Sequence, residues 1–294
     1  MERVLPADLL DIAHENKLHG IKIHIMDGES QSLQNMNDSQ LCAFRRKAED
    51  LGLDINLEIS SSAPADIDEA VTVAEKIGAT SLRFYPRYEG YLSVVLDQIR
   101  ADLQHIFQHH RHRNLAFIIE QHEDLKSDEL VQLVRESGIE SLSLLFDFGN
   151  MINANEQPLD ALRTMAPLIT HVHIKDAKIV HEGTGMGHIA CPSGAGDMPF
   201  KEMLKELICL GEAIPQVVSY GLEEEVDYYA PAFRFSDEGN DPWIPWREMS
   251  ETALPSPNEL LLRLEQEKED ALNQIKYVHN VLNQLVEQAH TVIG

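Results

Sequence analysis

The fold class that this sequence predicts is an α/β barrel of parallel strands. Short apolar runs alternate strictly with segments of helical periodicity, and a helix between two strands sets them side by side and parallel through a right-handed crossover. The chain has 294 residues, enough for a barrel of ~250 residues with an appendage. Four of the apolar runs end on carboxylates or imidazoles. A parallel barrel brings the carboxyl ends of all its strands to one face, where active sites lie.

The chain opens on a helix. Pro6 suits its first turn, Leu9, Leu10, Ile12 and Ala13 form its apolar face, and Gly20 is its expected stop. A strand over 21–25 follows, then a helix over 39–51 with Leu41, Phe44, Ala48 and Leu51 on one side and Gly52 beyond its end. Strand 54–59, helix 64–77 (with Pro64 in its first turn and Gly78 after it), strand 81–85 and helix 91–110 continue the pattern. The run LAFIIEQHEDL gives a strand over 115–120. Helix 127–136, strand 142–147, helix 158–166 and strand 169–175 come next. A Gly-rich stretch over 183–196 reads as a mobile lid shaped by Gly194, Gly196 and Asp197. Helix 199–210 and strand 216–223 complete the repeat.

That makes seven strands, one short of a closed barrel of eight. Either the usual first strand is lacking or another segment replaces it. An open flavodoxin-like sheet is the alternative, and seven repeats exceed its usual size. Residues 1–228 are thus expected to form the catalytic barrel, and 229–257 an irregular segment rich in Pro and aromatics, with Trp243 and Trp246. Residues 258–294 are expected to form one long helix. In that helix Ala271, Ile275, Val278, Leu282, Leu285, Ala289 and Val292 recur at alternating spacings of four and three. This is the seam of a helix that packs on its own barrel or on a second subunit, so a homo-oligomer through this helix is an expectation.

Charge narrows the partners. With 49 acidic against 24 basic residues the net charge is −25, which argues against nucleic acid and anionic membranes and for a small molecule entering a cleft. Three cysteines without CxxC spacing indicate no disulfide framework. With no signal peptide and no membrane span discernible in the sequence, the expected location is the cytoplasm.

Glu120, Asp147, His173 and Glu223 each end a predicted strand, so a barrel would converge them on one spot. Three carboxylates and one imidazole make a mostly hard-oxygen donor set, suited to one divalent ion. Mn²⁺ is the first expectation, with Mg²⁺, Co²⁺ or Zn²⁺ as alternatives. A carboxylate at a strand end is by itself more often a cap or an ion-pair partner; the set of four is what points to a metal. Other constellations are weaker. The histidines at 105, 109, 110 and 112 read as a solvated helix end, and Cys191 has no evident partner for nucleophilic work.

On these residues the sequence resembles the xylose isomerase-like barrel superfamily, the sugar phosphate isomerase/epimerase group of TIM barrels. The resemblance covers about residues 7–225 and rests on IIEQHEDL, FDFGN, HVHIKD and LEEE in this order. It implies metal ligands at Glu120, Asp147, His173 and Glu223, with Glu225 competing for the last place. It also implies that Glu120 and Glu223 act as acid and base while the metal stabilises an enediolate. His122, Asn150 and Lys175 are then candidates for substrate hydroxyls or a carboxylate, and Arg234 for a charged substrate. Asn150 stands where ketose 3-epimerases have His, and Ile179 where they have Arg, so a simple ketose epimerase is disfavoured. The expected activity is a metal-dependent isomerase or epimerase of a sugar, polyol or sugar acid. A decarboxylase of a 3-oxo sugar acid is the alternative. A DNA-repair (AP-endonuclease-like) nuclease on the same barrel, or a non-catalytic barrel, is further off.

Overall fold

The computed structural model describes residues 4–211, 213–246 and 257–293. Its elements in order are α1 (Pro6–Glu15), β1 (Gly20–His24), α2 (Asp38–Leu51), β2 (Asp54–Glu58), α3 (Pro64–Ile77), β3 (Ser81–Phe84), β4 (Gly90–Tyr91) and α4 (Leu92–His109). These are followed by β5 (Ala116–Glu120), α5 (Ser127–Ser137), β6 (Leu142–Asp147), α6 (Pro158–Met165), β7 (Ile169–Ile174), β8 (Asp176–Glu182), β9 (Gly185–Cys191) and α7 (Phe200–Ile208). The chain ends with β10 (Ser219–Leu222), β11 (Tyr229–Ala230), β12 (Trp243–Ile244) and α8 (Pro257–Ile293).

One seven-stranded parallel sheet runs in the order β1-β2-β3-β5-β6-β7-β10 and nearly closes into a barrel flanked by helices. Each predicted strand pairs with its predicted neighbour, and the first is β1, preceded by α1 rather than by another strand. β3 and β5 are buried on both faces, which is why they read as continuous apolar runs, whereas β1 alternates buried Ile21 and Ile23 with half-buried neighbours.

Internal packing divides the chain into two compact units, Met1–Glu120 with Gln132–Leu144, and Gln121–Val131 with Leu145–Gly294. In the first unit Leu57, Leu82, Phe84 and Phe117 from the strands and Ile67, Ile77 and Ile99 from the helices are fully buried. Asn37 caps α2 by accepting from the Gln40 amide at 3.1 Å, and the Gln40 side chain accepts in return from the Asn37 amide at 2.9 Å. The first helix departs from expectation. It ends at Glu15, where the Asn16 side chain donates to the Ile12 carbonyl at 2.8 Å and Lys17 turns the chain at φ +59°. Gly20 instead opens β1, where a Cβ would collide with the Asp54 carbonyl.

In the second unit a run of edge-on rings ties the sheet to its helices. Phe148 lies 5.2 Å from Phe200 on α7, and Phe200 lies 5.2 Å from Tyr277 on α8. The Gly-rich stretch is not a loop. Residues 185–191 form β9, paired antiparallel with β8 from Asp176↔Cys191 to Glu182↔Gly185, and β11 adds a third strand. Gly194 and Gly196 follow the hairpin, and their amides donate to Asp176 Oδ2 at 2.8 and 3.1 Å. A Cβ on Gly196 would fall on Asp176 Oδ1. The β-branched Ile179, Val180 and Ile189 could have signalled the hairpin, but the glycines between them imitate a loop.

The final helix packs on its own chain. Gln274 donates to the Ile174 carbonyl at 2.8 Å, and Val278 and Val281 are buried beside it. Of the seam expected from the sequence, Val278 is buried, Ile275, Leu282 and Leu285 are half-buried, and Ala271 and Ala289 are exposed. Polar Gln274 and Asp270 are buried in place of the alanines: Gln274 answers the Ile174 carbonyl, and Asp270 accepts from the Gln266 side chain at 2.9 Å. Residues 247–256 of the irregular segment, and the Val292 side chain, lie outside the described residues.

Candidate metal centre and active site

The FDFGN turn shows how this backbone aims a carboxylate. Asp147 is the last residue of β6, and its Oδ1 accepts from the amides of Gly149 at 2.7 Å and Asn150 at 2.8 Å. Those two bonds lock the side chain and leave Oδ2 facing Lys175 Nζ at 3.2 Å. Lys175 follows β7 directly, and its ammonium also stands 3.3 Å from Glu223 Oε2 and 3.6 Å from Glu225 Oε2. A carboxylate as buried as Asp147 needs positive charge close by, and Lys175 provides it.

His173 is 2% exposed, and its Nδ1 lies 3.5 Å from Glu223 Oε2. Two donors on the ~2.1 Å shell of one ion stand about 3.0–3.5 Å apart, so this pair has the spacing of two ligands. Glu223 rather than Glu225 sits beside the imidazole; Glu224 turns away and accepts from Ser193. His171, two residues earlier, is held by Thr170 at 2.9 Å.

Glu120 ends β5 within a row of charges that crosses the first unit. Lys22 Nζ lies 3.9 Å from Glu58 Oε1, Arg83 donates to Glu58 Oε2 at 2.7 Å, and Arg83 Nε stands 3.0 Å from Glu120 Oε2. Glu58 and Arg83 are cross-strand partners in register. Neither Arg83 nor Glu58 was singled out from the sequence, although a lone charge inside each apolar strand was the available signal. Glu120, Asp147 and His173, all at most 2% exposed, each offer one ligand atom, and the three atoms lie within 4.8 Å of one another. Two carboxylates and an imidazole at this separation fit a hard divalent cation.

The remaining expected residues are placed as follows. Asn150 is buried and donates from Nδ2 to the Gln121 carbonyl at 3.2 Å. His122 is half-buried in the loop after β5. Arg234 is engaged by the protein itself. Its guanidinium binds Glu129 at 2.8 and 3.0 Å, Glu238 at 2.8 Å and the Asp124 carbonyl at 3.3 Å, with the residue 2% exposed. It ties the segment after β11 to α5.

The histidine run is also more than a solvated helix end. His105 Nε2 and His110 Nε2 both bond Asp68 Oδ1, at 2.7 and 2.6 Å, and these three form a second group with metal-ligand spacing. Cys191 is buried, and burial raises its thiol to about 11, so it stays protonated.

The family model described as "Xylose isomerase-like TIM barrel" matches residues 10–218. This chain belongs to that family. Within it, a relative from Escherichia coli (strain K12), "Uncharacterized protein YihM", is 63% identical over 294 residues, covering all of this chain and 90% of the relative. A "3-oxo-isoapionate decarboxylase" from Pectobacterium atrosepticum is 21% identical over 193 residues, covering 65% of this chain and 70% of that protein. Among solved structures, a D-psicose 3-epimerase crystallised with D-fructose superposes with a TM-score of 0.62 at 15% identity. The match covers 94% of this chain and 93% of that one. This last likeness is one of fold.

Proposed function

We propose that this chain is a divalent-metal-dependent isomerase or epimerase acting on a sugar, polyol or sugar acid. The observation that carries this reading is the clustering of Asp147, His173 and Glu223 around Lys175 at the ends of successive strands. Glu120 joins Asp147 and His173 within ligand distance. The proposed ligands are Glu120, Asp147, His173 and Glu223, and the proposed ion is Mn²⁺, with Mg²⁺, Co²⁺ or Zn²⁺ as alternatives. Bound there, the ion would polarise a substrate carbonyl oxygen and acidify the neighbouring C–H.

Side chains then handle the proton. One of Glu120 and Glu223 takes it from the carbon beside the carbonyl, and the other returns it to the same carbon or its neighbour. Returned to the opposite face it gives epimerisation; returned to the neighbouring carbon, with proton movement between the oxygens, it gives isomerisation. Arg83 holds Glu120 at 3.0 Å, and the FDFGN turn holds Asp147 rigid. Lys175, His122 and Asn150 are proposed to bind substrate oxygens. The cytoplasm is the proposed location, in keeping with Cys42, Cys191 and Cys209 as free thiols. No helix among the described residues is long and apolar enough to cross a membrane.

Lys175 favours a second reading. An ammonium beside the ligands matches a substrate carboxylate, and the Pectobacterium relative is named as a decarboxylase. Turnover of ketoses, inososes and 3-oxo sugar acids by the Mn²⁺-loaded protein, with CO₂ release followed, tests both. Isomerised product without CO₂ supports the first reading; stoichiometric CO₂ supports the second; no turnover of any member overturns both.

A further inference from the structure

The β8–β9 hairpin brings to this site an imidazole that the chemistry above does not use. His188 is 0% exposed, in register with Ile179 on β8 and Ala230 on β11. Its Nδ1 lies 2.7 Å from Asn153 Oδ1. Asn153 is itself fixed, because its Nδ2 donates to the carbonyls of Ala230 at 2.9 Å and Pro231 at 2.7 Å. The amide must therefore turn its oxygen to His188, and an oxygen only accepts. The proton of the imidazole is on Nδ1.

Burial first, then the Lys175 charge, pulls His188 down to about 3 against an opposing pull from Glu223, so the ring is neutral. A neutral ring protonated on Nδ1 carries a bare lone pair on Nε2. That atom is buried and has no hydrogen-bond partner among the described residues. Its direction is given by Gly149, where a Cβ would lie 3.5 Å from His188 Nε2, 3.1 Å from Lys175 Cε and 3.6 Å from Asp147 Oδ1. The lone pair thus opens onto the Asp147 turn and Lys175. Only a donor can satisfy it: a carboxylate or a carbonyl oxygen would be repelled, and a hydroxyl would be accepted.

We propose that His188 is a substrate-binding residue whose Nε2 accepts a hydrogen bond from one hydroxyl of a polyhydroxy carbonyl substrate held beside Lys175. This rests on the function proposed above and adds a selection rule: the substrate carries a free hydroxyl at one defined carbon. Three-strand pairing, the Asn153 bond and the absence of a Cβ on Gly149 together hold the ring for that contact.

The test pairs protein variants with deoxy analogues of whichever compound the turnover screen identifies. In the wild type, one monodeoxy analogue should bind roughly tenfold more weakly than its parent. In H188A the parent and that analogue should bind alike, while the other deoxy analogues keep their wild-type penalties. If H188A weakens every analogue by one common factor, the proposal is overturned and the function stands. If no polyhydroxy carbonyl compound binds the wild type, the function falls and the proposal with it. Imidazole ¹⁵N spectra of the wild-type protein, with the His188 signal assigned by its loss in H188Q, give an answer independent of the folding of H188A. A protonated Nδ1 with a bare Nε2 is expected, and an Nε2–H tautomer overturns the proposal.

Discussion

Lys175 Nζ and Asp147 Oδ2 stand 3.2 Å apart, with side chains 5% and 0% exposed. An ammonium so placed balances carboxylates that would otherwise repel one another, and it competes with any cation that those carboxylates bind. Replacing it should therefore do two opposite things. In metal-free protein K175M is expected to lose about 3–5 kcal/mol of stability, since a buried carboxylate loses its partner. Added Mn²⁺ should raise the melting temperature of K175M by more than that of the wild type. Thermal melts with a chelator and with Mn²⁺ check both parts.

Glu120, the proposed proton-transfer residue, is tied to Arg83 at 3.0 Å. E120Q keeps the shape of the side chain and removes its basicity. Turnover should fall by at least about 10²–10⁴-fold while the circular dichroism spectrum is unchanged. Activity within twofold of wild type would sink the assignment of Glu120.

Gly196 has no room for a side chain, because a Cβ would meet Asp176 Oδ1 and the Ala177 carbonyl. G196A should cost about 1–3 kcal/mol through this overpacking. It should also loosen the β8–β9 hairpin, measured as faster amide exchange at Ile189 and Ala190. Unchanged stability would show that the Asp176 contact is dispensable.

Glu238 is half-buried against Arg234 and Lys126. Burial alone would raise its pKa, but the hydrogen bonds from those two cations outweigh it and hold the carboxyl at about 2, below its ordinary 4.5. A depressed folded-state pKa gives stability that is present above pH 4.5 and lost as the pH falls from 4.5 toward 2. At partial exposure the contribution is about 1–2 kcal/mol. E238Q should accordingly be less stable than wild type at pH 7 and lose less stability on acidification over that window. Urea melts from pH 7 to pH 2.5 provide the measurement.

The strand-and-helix alternation was legible because central strands such as β3 and β5 are buried on both faces and helices such as α3 and α2 begin on a clear signal, at Pro64 and Asn37. Asp147 and His173 were legible as candidate ligands for a related reason: an ionisable residue closing an apolar run marks the carboxyl end of a parallel strand. The hairpin was not legible, because Gly185, Gly187 and Gly196 are there for close approach of backbone and Gly194 for a positive φ beside the Tyr277 ring, and they imitate a loop in the sequence. His188 was hidden with it. Arg83 and Arg234 look alike as isolated cations among apolar neighbours. Only the structure separates the one beside Glu120 from the one clamped between Glu129 and Glu238.

The central claim is that Asp147 and His173 help to hold one divalent ion. Because Asp68, His105 and His110 form a second group with ligand spacing, the decisive quantity is a difference. Equilibrium dialysis against Mn²⁺ should show wild-type protein holding one more ion per chain than a folded D147N/H173Q variant, with an H105A/H110A variant retaining that ion. Equal Mn²⁺ content in wild type and D147N/H173Q, or three zinc ions in the protein as isolated, would contradict it.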